Sequence, residues 1–284
     1  MDLDDPGKAP ERHPAKQAPE ISPLLLSTFE RYAGRSLARQ FHAFRLSQAQ
    51  RPDPMAIRGK PLIVYFNHPS WWDPLICLRL AEQFFPDRKN YAPLDAAVLG
   101  QDRFFERLGF FGVELDSARG ARRFLTLSQQ ALSRPDSALW IAAEGRLTDP
   151  RVRPVRLRSG IGHLAVRVRQ AVLLPLALEY PFWEERRPEA LARFGEEIPA
   201  GEAGLKATDW TAVLETRLQA ALDALAAESI ARDPSRFDLL RGSSPAGSGM
   251  SDAWRRIKAR FSGERSQPEP AGGELPEMPP RRRI

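Results

Sequence analysis

Four short apolar runs limit most tightly what this chain can fold into: PLIVYF (61–66), FFGVEL (110–115), SALWIA (137–142) and VLLPLAL (172–178). Runs of that length suit buried β-strands and are too short for buried helices. Between them, 75–85, 118–133 and 159–170 carry apolar residues at helical spacing. Strands alternating with helices predict an α/β fold, a single domain with a central mixed sheet flanked by helices. A further strand is expected near Leu191–Ile198. Asp209 is a candidate cap for a long helix carrying Trp210, Val213, Leu214, Leu218, Leu222 and Leu225.

The segment before the first run reads differently. Leu24, Leu25, Leu26, Phe29, Tyr32, Leu37, Phe41, Phe44 and Leu46 recur at mostly helical spacing, interleaved with Arg31, Arg35, Arg39 and Arg45. This predicts basic amphipathic N-terminal helices, whose apolar stripe packs on the core, meets a membrane surface, or does both. Residues 1–20, rich in Pro and charge, are expected to be a disordered tail. The domain is expected over 21–240. Residues 241–284 read as a flexible basic Pro/Gly-rich tail with one small amphipathic patch, DAWRRIKARF (252–261).

Charge and cysteine content narrow the chemistry. There are 42 Lys and Arg against 36 Asp and Glu, a net +6, and only six of the basic residues are Lys. Arg-rich charge suits bidentate contacts to phosphate or carboxylate, although a GC-rich coding bias produces the same excess. A single cysteine, Cys77, excludes a disulfide within the chain and a cysteine-rich metal site. The first residues are polar and acidic, unlike a secretory signal, and no run approaches the ~18 apolar residues of a spanning helix. A cytoplasmic protein, peripheral on the inner face of the cell membrane and without a transmembrane helix, is expected. Nucleic acid is not an expected partner, because the aromatics fall in apolar runs and no nucleic-acid motif accompanies the basic charge.

There is no G-x-S-x-G elbow, P-loop, G-x-G-x-x-G or H-E-x-x-H. Of the four histidines, His13 lies in the tail, His42 in the basic segment and His163 in a helix among Ile161, Leu164 and Val166. His68 directly follows a strand, and Asp73 lies five residues on, before Pro74 at a helix start. A carboxylate that holds one ring N–H leaves the other nitrogen free to take a proton, which is a general-base arrangement. The same spacing also allows Asp73 to be a helix cap beside an incidental histidine.

The residues around this pair carry a resemblance. Asn67-His68-Pro69-Ser70-Trp71-Trp72-Asp73 resembles the N-H-x-S-x-x-D box of the glycerolipid acyltransferase family, the 1-acylglycerol-3-phosphate or lysophospholipid acyltransferases. Three further blocks follow in the family's order. Gly109-Phe110-Phe111-Gly112-Val113 is similar to the second, Ala142-Ala143-Glu144-Gly145 to the third, and Pro175 within 172–178 to the fourth. A basic stretch before a Gly-containing helix, Val155 to Gly160, follows the third block as it does in the family. The resemblance covers roughly residues 25–230.

What it implies is an O-acyltransferase. The donor would be acyl-CoA or acyl carrier protein, and the acceptor the hydroxyl of a lysophospholipid or related lipid. His68 and Asp73 would be catalytic, as base and orienter. Asn67, Ser70, Glu144, Gly145 and Arg146 would bind substrate, with no metal or other cofactor required. Glu144 can equally be a partner that holds a neighbouring loop.

Two departures bear on the acceptor. Phosphate-accepting members carry an Arg near where Leu115 stands, and Arg119, Arg122 and Arg123 are out of register. The usual Pro-Glu-Gly-Thr-Arg-Ser is here Ala143-Glu144-Gly145-Arg146-Leu147-Thr148. Either Arg146 replaces the missing cation, or the acceptor is another hydroxylated lipid such as a glycolipid, carotenoid glycoside or ornithine lipid. Trp71 and Trp72 suit a lipid-facing wall or a buried core. A non-catalytic membrane-binding module is the rival from a different class, and the intact His68 and Asp73 weigh against it.

Overall fold

The computed structural model describes residues 17–99, 103–201 and 204–242. All four apolar runs form strands. In chain order the elements are α1 (Pro23–Gln40), β1 (Ala43–Ser47), α2 (Pro54–Ile57), β2 (Leu62–Phe66), α3 (Asp73–Phe84), β3 (Lys89–Asp95), α4 (Ala96–Leu99), β4 (Phe110–Val113), α5 (Ala118–Ala131), β5 (Ser137–Ala142), α6 (Gly160–Arg167), β6 (Val172–Glu179), β7 (Glu189–Phe194), β8 (Ile198–Pro199), α7 (Ala207–Ala231) and β9 (Phe237–Gly242).

The strands make one mixed sheet in the order β4-β3-β5-β2-β6-β7-β1-β9, with β8 paired to β6. The first five run parallel. β7 turns antiparallel to β6, β1 runs with β7, and β9 closes the far edge antiparallel to β1. Because strand side chains alternate, β2 feeds two cores. Ile63 and Tyr65 face α5, α6 and α7 and pack with Leu127, Leu164 and Leu214. Leu62, Val64 and Phe66 face α1 and α3 and pack with Leu37, Ile76 and Leu80. Burial on both faces explains why the central strands read as continuous apolar runs.

The structure corrects the N-terminal reading. Helix α1 ends at Gln40, and Phe44 and Leu46 belong to β1, not to a second basic helix. Arg45, counted with the basic face, lies between buried neighbours. Its Nε donates to Glu189 at 2.9 Å and its guanidinium lies 5.4 Å from the Trp183 ring centroid. The sheet outweighs the helical pattern because β7 and β9 flank this segment and supply its backbone partners.

One strand was not anticipated and two expectations shift. β3, polar and containing Pro93, gave no strand signal. β9 runs to Gly242, so the sheet extends two residues past the expected domain end. Asp209 lies within the first turn of α7, where its Oδ2 accepts from Lys206 N–H at 3.2 Å, and is not the N-cap. Most of the expected N-terminal tail, His13 and the 252–261 patch lie outside the described residues. Among those described, no helix is long and apolar enough to cross a membrane.

Candidate active site

Strands β2 and β5 end at one level, and β6 beside them runs on to Glu179. Phe66 is in register with Ala142 on one side and Leu176 on the other. The loops leaving their carboxyl ends therefore meet, and this edge is where open α/β sheets bind ligands. The first loop carries the Asn67–Asp73 box, the second Glu144–Thr148, and the third begins at Tyr180.

Asp73 opens α3, is fully buried, and is served by three donors. Its Oδ2 faces His68 Nδ1 at 2.6 Å and accepts from Ser70 N–H at 3.2 Å. Its Oδ1 accepts from the Tyr180 hydroxyl at 2.6 Å. Burial pushes the Asp73 pKa up, while the contacts with His68, Tyr180 and Ser70 pull against that. A carboxylate only accepts, so with Asp73 ionised the proton sits on Nδ1 and Nε2 presents its lone pair. The His68 side chain is 26% exposed, and its Nε2 makes no hydrogen bond among the described residues. A strand-end imidazole held this way can take a proton from a bound hydroxyl.

The second loop holds the histidine's backbone. Glu144 Oε2 accepts from His68 N–H at 3.1 Å, and Thr148 N–H donates to His68 O at 2.9 Å. One oxygen of Glu144 thus fixes a loop, the second of the two roles open to it from sequence. Burial raises its pKa, opposed by the His68 N–H and by Arg146. Gly145 sits at φ +67, where an L side chain is strained. An added Cβ there would stand 2.2 Å from Arg158 Nε. Arg158 crosses the glycine and pairs with Asp116 at 2.9 Å, bridging the segments after β4 and β5. Gly109, the first residue of the second block, sits at φ +99 with Asn90 O only 2.3 Å from where a Cβ would be.

The structure draws the expected residues together unequally. His68, Asp73, Ser70 and Glu144 share one hydrogen-bonded cluster. Asn67, expected to bind substrate, is instead buried: its Nδ2 donates to Leu178 O and its Oδ1 accepts from Leu178 N–H, both at 2.9 Å. It ties the end of β2 to β6 and supports the His68 loop. The Ser70 hydroxyl accepts from Trp72 N–H at 3.3 Å, which shapes the entry to α3. Arg146 is exposed and has no ion-pair partner among the described residues; Asp149 is taken by Arg151 at 2.7 Å. Trp72 packs edge-on against Phe41, while Trp71 is 76% exposed. Tyr180, Thr148 and the Arg158–Asp116 pair were missed, because each is distant in sequence and only the strand order brings it in. Among the described residues, no three His, Cys, Asp or Glu side chains converge as a metal site.

A buried carboxylate behind a strand-end histidine on a mixed α/β sheet is an arrangement suited to general-base chemistry. A family model described as Acyltransferase matches residues 45–179, which run from within β1 to the end of β6 and include all four motif blocks. These residues are similar to an acyltransferase domain, which supports acyltransferase activity for the chain. One similar solved structure is the 1-acyl-sn-glycerophosphate (LPA) acyltransferase PlsC from Thermotoga maritima. It is 16% identical, with 71% of this chain and 80% of that chain covered at a TM-score of 0.49. No curated protein matches the chain.

Proposed function

We propose that this chain is an acyltransferase that moves a fatty acyl group from acyl-CoA or acyl carrier protein to the hydroxyl of a lysophospholipid, at the cytoplasmic face of a membrane. His68 Nε2 takes the hydroxyl proton as the oxygen attacks the thioester carbonyl. Asp73 keeps the imidazole oriented and balances the charge of the imidazolium. The thiolate of the carrier leaves as the tetrahedral intermediate collapses, and takes the proton back. The observation that carries this reading is the 2.6 Å contact between His68 Nδ1 and the buried Asp73, with Nε2 left unbonded among the described residues. Base assistance of this kind is worth roughly 10²–10⁴ in rate.

The membrane part rests on exposed apolar side chains beside arginines. Trp71, Leu147, Val152 and Phe182 are exposed on the three loops, and Leu24 and Tyr32 on α1, which also carries Arg31, Arg35 and Arg39. A second acceptor class, an uncharged hydroxylated lipid, is favoured by one observation: Leu115, where a phosphate-binding Arg is usual, is 44% exposed. The test is acyl transfer from palmitoyl-CoA to 1-acylglycerol-3-phosphate on anionic vesicles by the full chain and by His68→Ala. Product from the wild type and a loss of at least ~10²-fold in the variant, with its melting curve unchanged, is expected. Near-normal turnover by folded His68→Ala would overturn the mechanism. Transfer only to neutral acceptors would select the second class.

A further inference from the structure

Tyr180 belongs to none of the motif blocks and lies one residue beyond the matched segment 45–179. We propose that Tyr180 is a positioning residue for acyl transfer: its hydroxyl holds the second oxygen of Asp73, so that the carboxylate stays ionised with Oδ2 toward His68. This rests on His68 and Asp73 acting as base and orienter.

The geometry carries the assignment. Asp73 is fully buried, so each of its oxygens depends on a protein donor. Oδ2 has two, His68 and Ser70, while among the described residues Oδ1 has only the Tyr180 hydroxyl, at 2.6 Å. The carboxylate comes from the start of α3 and the phenol from the end of β6, so the bond also ties the helix to the sheet beside the base. The Tyr180 ring is fixed against Phe41, with centroids 5.4 Å apart, and Phe41 in turn packs on Trp72. Burial first, and then Asp73, pushes the phenol's pKa well above its ordinary value, so it remains a donor throughout the working range.

The sign of the effect follows from the charges around the pair. Asp73 faces His68 and Ser70 from its own loop, Tyr180 from β6 and Cys77 from α3; burial pushes the Cys77 thiol up, so it stays neutral. His68 also faces Glu144, on which Arg146 and Arg153 act. None of these except Tyr180 changes in Tyr180→Phe. The phenol donor favours the proton-free state of the His68–Asp73 pair, which carries one negative charge. Without the donor, that pair binds its proton more readily, and its midpoint rises.

The experiment follows the His68 ring by NMR in the full chain labelled at histidine, with His68→Ala identifying its signal among those of His13, His42 and His163. Tyr180→Phe keeps the ring and its packing. The expected result is a midpoint raised by about one pH unit, a tenfold change in proton affinity. With it, kcat for acyl transfer at neutral pH should fall about tenfold, acceptor KM staying nearly unchanged. Should Tyr180→Phe fold poorly, fluorotyrosine in place of all tyrosines supplies a stronger donor of similar size, and the midpoint should move down instead. An unmoved midpoint in the variant that folds overturns the inference, as does a moved midpoint with normal kcat. Full turnover by His68→Ala would instead overturn the base assignment, a result separate from the direction in which the midpoint moves.

Discussion

Replacing Asp73 by Asn should separate the catalytic value of this carboxylate from its effect on stability. Asn is nearly isosteric and has two ways to sit. With its oxygen toward His68 and Ser70, it keeps the Nδ1–H tautomer and the Ser70 bond, and its amide faces the Tyr180 hydroxyl. The charge is lost, and so is the acceptor of the Tyr180 hydroxyl, which can now only accept from the amide. A hydrogen bond to a charged group is worth about 1.5–3 kcal/mol, and the 2.6 Å contact with His68 belongs at the upper end. At about 1.36 kcal/mol per decade, that is roughly a hundredfold in kcat. With its amide toward His68, Asn donates to Nδ1, the proton moves to Nε2, and the base is lost. The full general-base contribution, up to roughly 10⁴, then disappears.

Stability should move the other way. Burial raises the Asp73 pKa, so the folded state binds that proton more tightly than the unfolded state does. The ionised carboxylate therefore costs stability above its folded pKa, and the cost is relieved as pH falls through it. Asp73→Asn removes the cost. The variant should melt at or above wild type at pH 8, with the gap closing as the pH is lowered. Steady-state transfer assays beside calorimetry at several pH values read both quantities. A kcat close to wild type would refute the orienting role. An inactive variant whose Tm falls by more than about 5 °C, roughly 2 kcal/mol, would make the loss a folding defect.

Arg146→Ala should raise acceptor KM about tenfold, the value of one charge-assisted contact, with donor KM and Tm little changed. Parallel shifts in both KM values, or a lowered Tm, would remove Arg146 from acceptor binding. Arg45→Ala leaves the buried Glu189 carboxylate without its 2.9 Å partner and should cost about 3–5 kcal/mol in urea unfolding. A change under about 1 kcal/mol would show that pair to be dispensable. Gly145→Ala must hold a positive φ and displace Arg158. It should cost at least about 1 kcal/mol and lower turnover by loosening the Glu144–Thr148 turn behind His68. Unchanged melting and kinetics would show that the turn adapts freely.

What the sequence alone determined was local. The four apolar runs specify strands because burial on both faces leaves no room for a polar residue. The His68–Asp73 spacing allows a dyad because a strand end followed by a helix start folds five residues into one short turn, and only the 2.6 Å contact in the structure decides it against an incidental histidine beside a helix cap. The remainder needed the tertiary structure. The segment 43–47 has apolar residues that fit a helical stripe as well as a strand, and only β7 and β9 beside it decide the matter. β3 has no pattern of its own and is a strand because β4 and β5 flank it. Asn67 looked like a hand for substrate until Leu178, 111 residues away, occupied both ends of its amide. Tyr180 meets Asp73 across 107 residues. Spacing along a chain reports which groups share a turn, whereas which strand lies beside which is settled by the packing of the whole sheet. That order is what puts the tyrosine, the glutamate and the histidine at one edge.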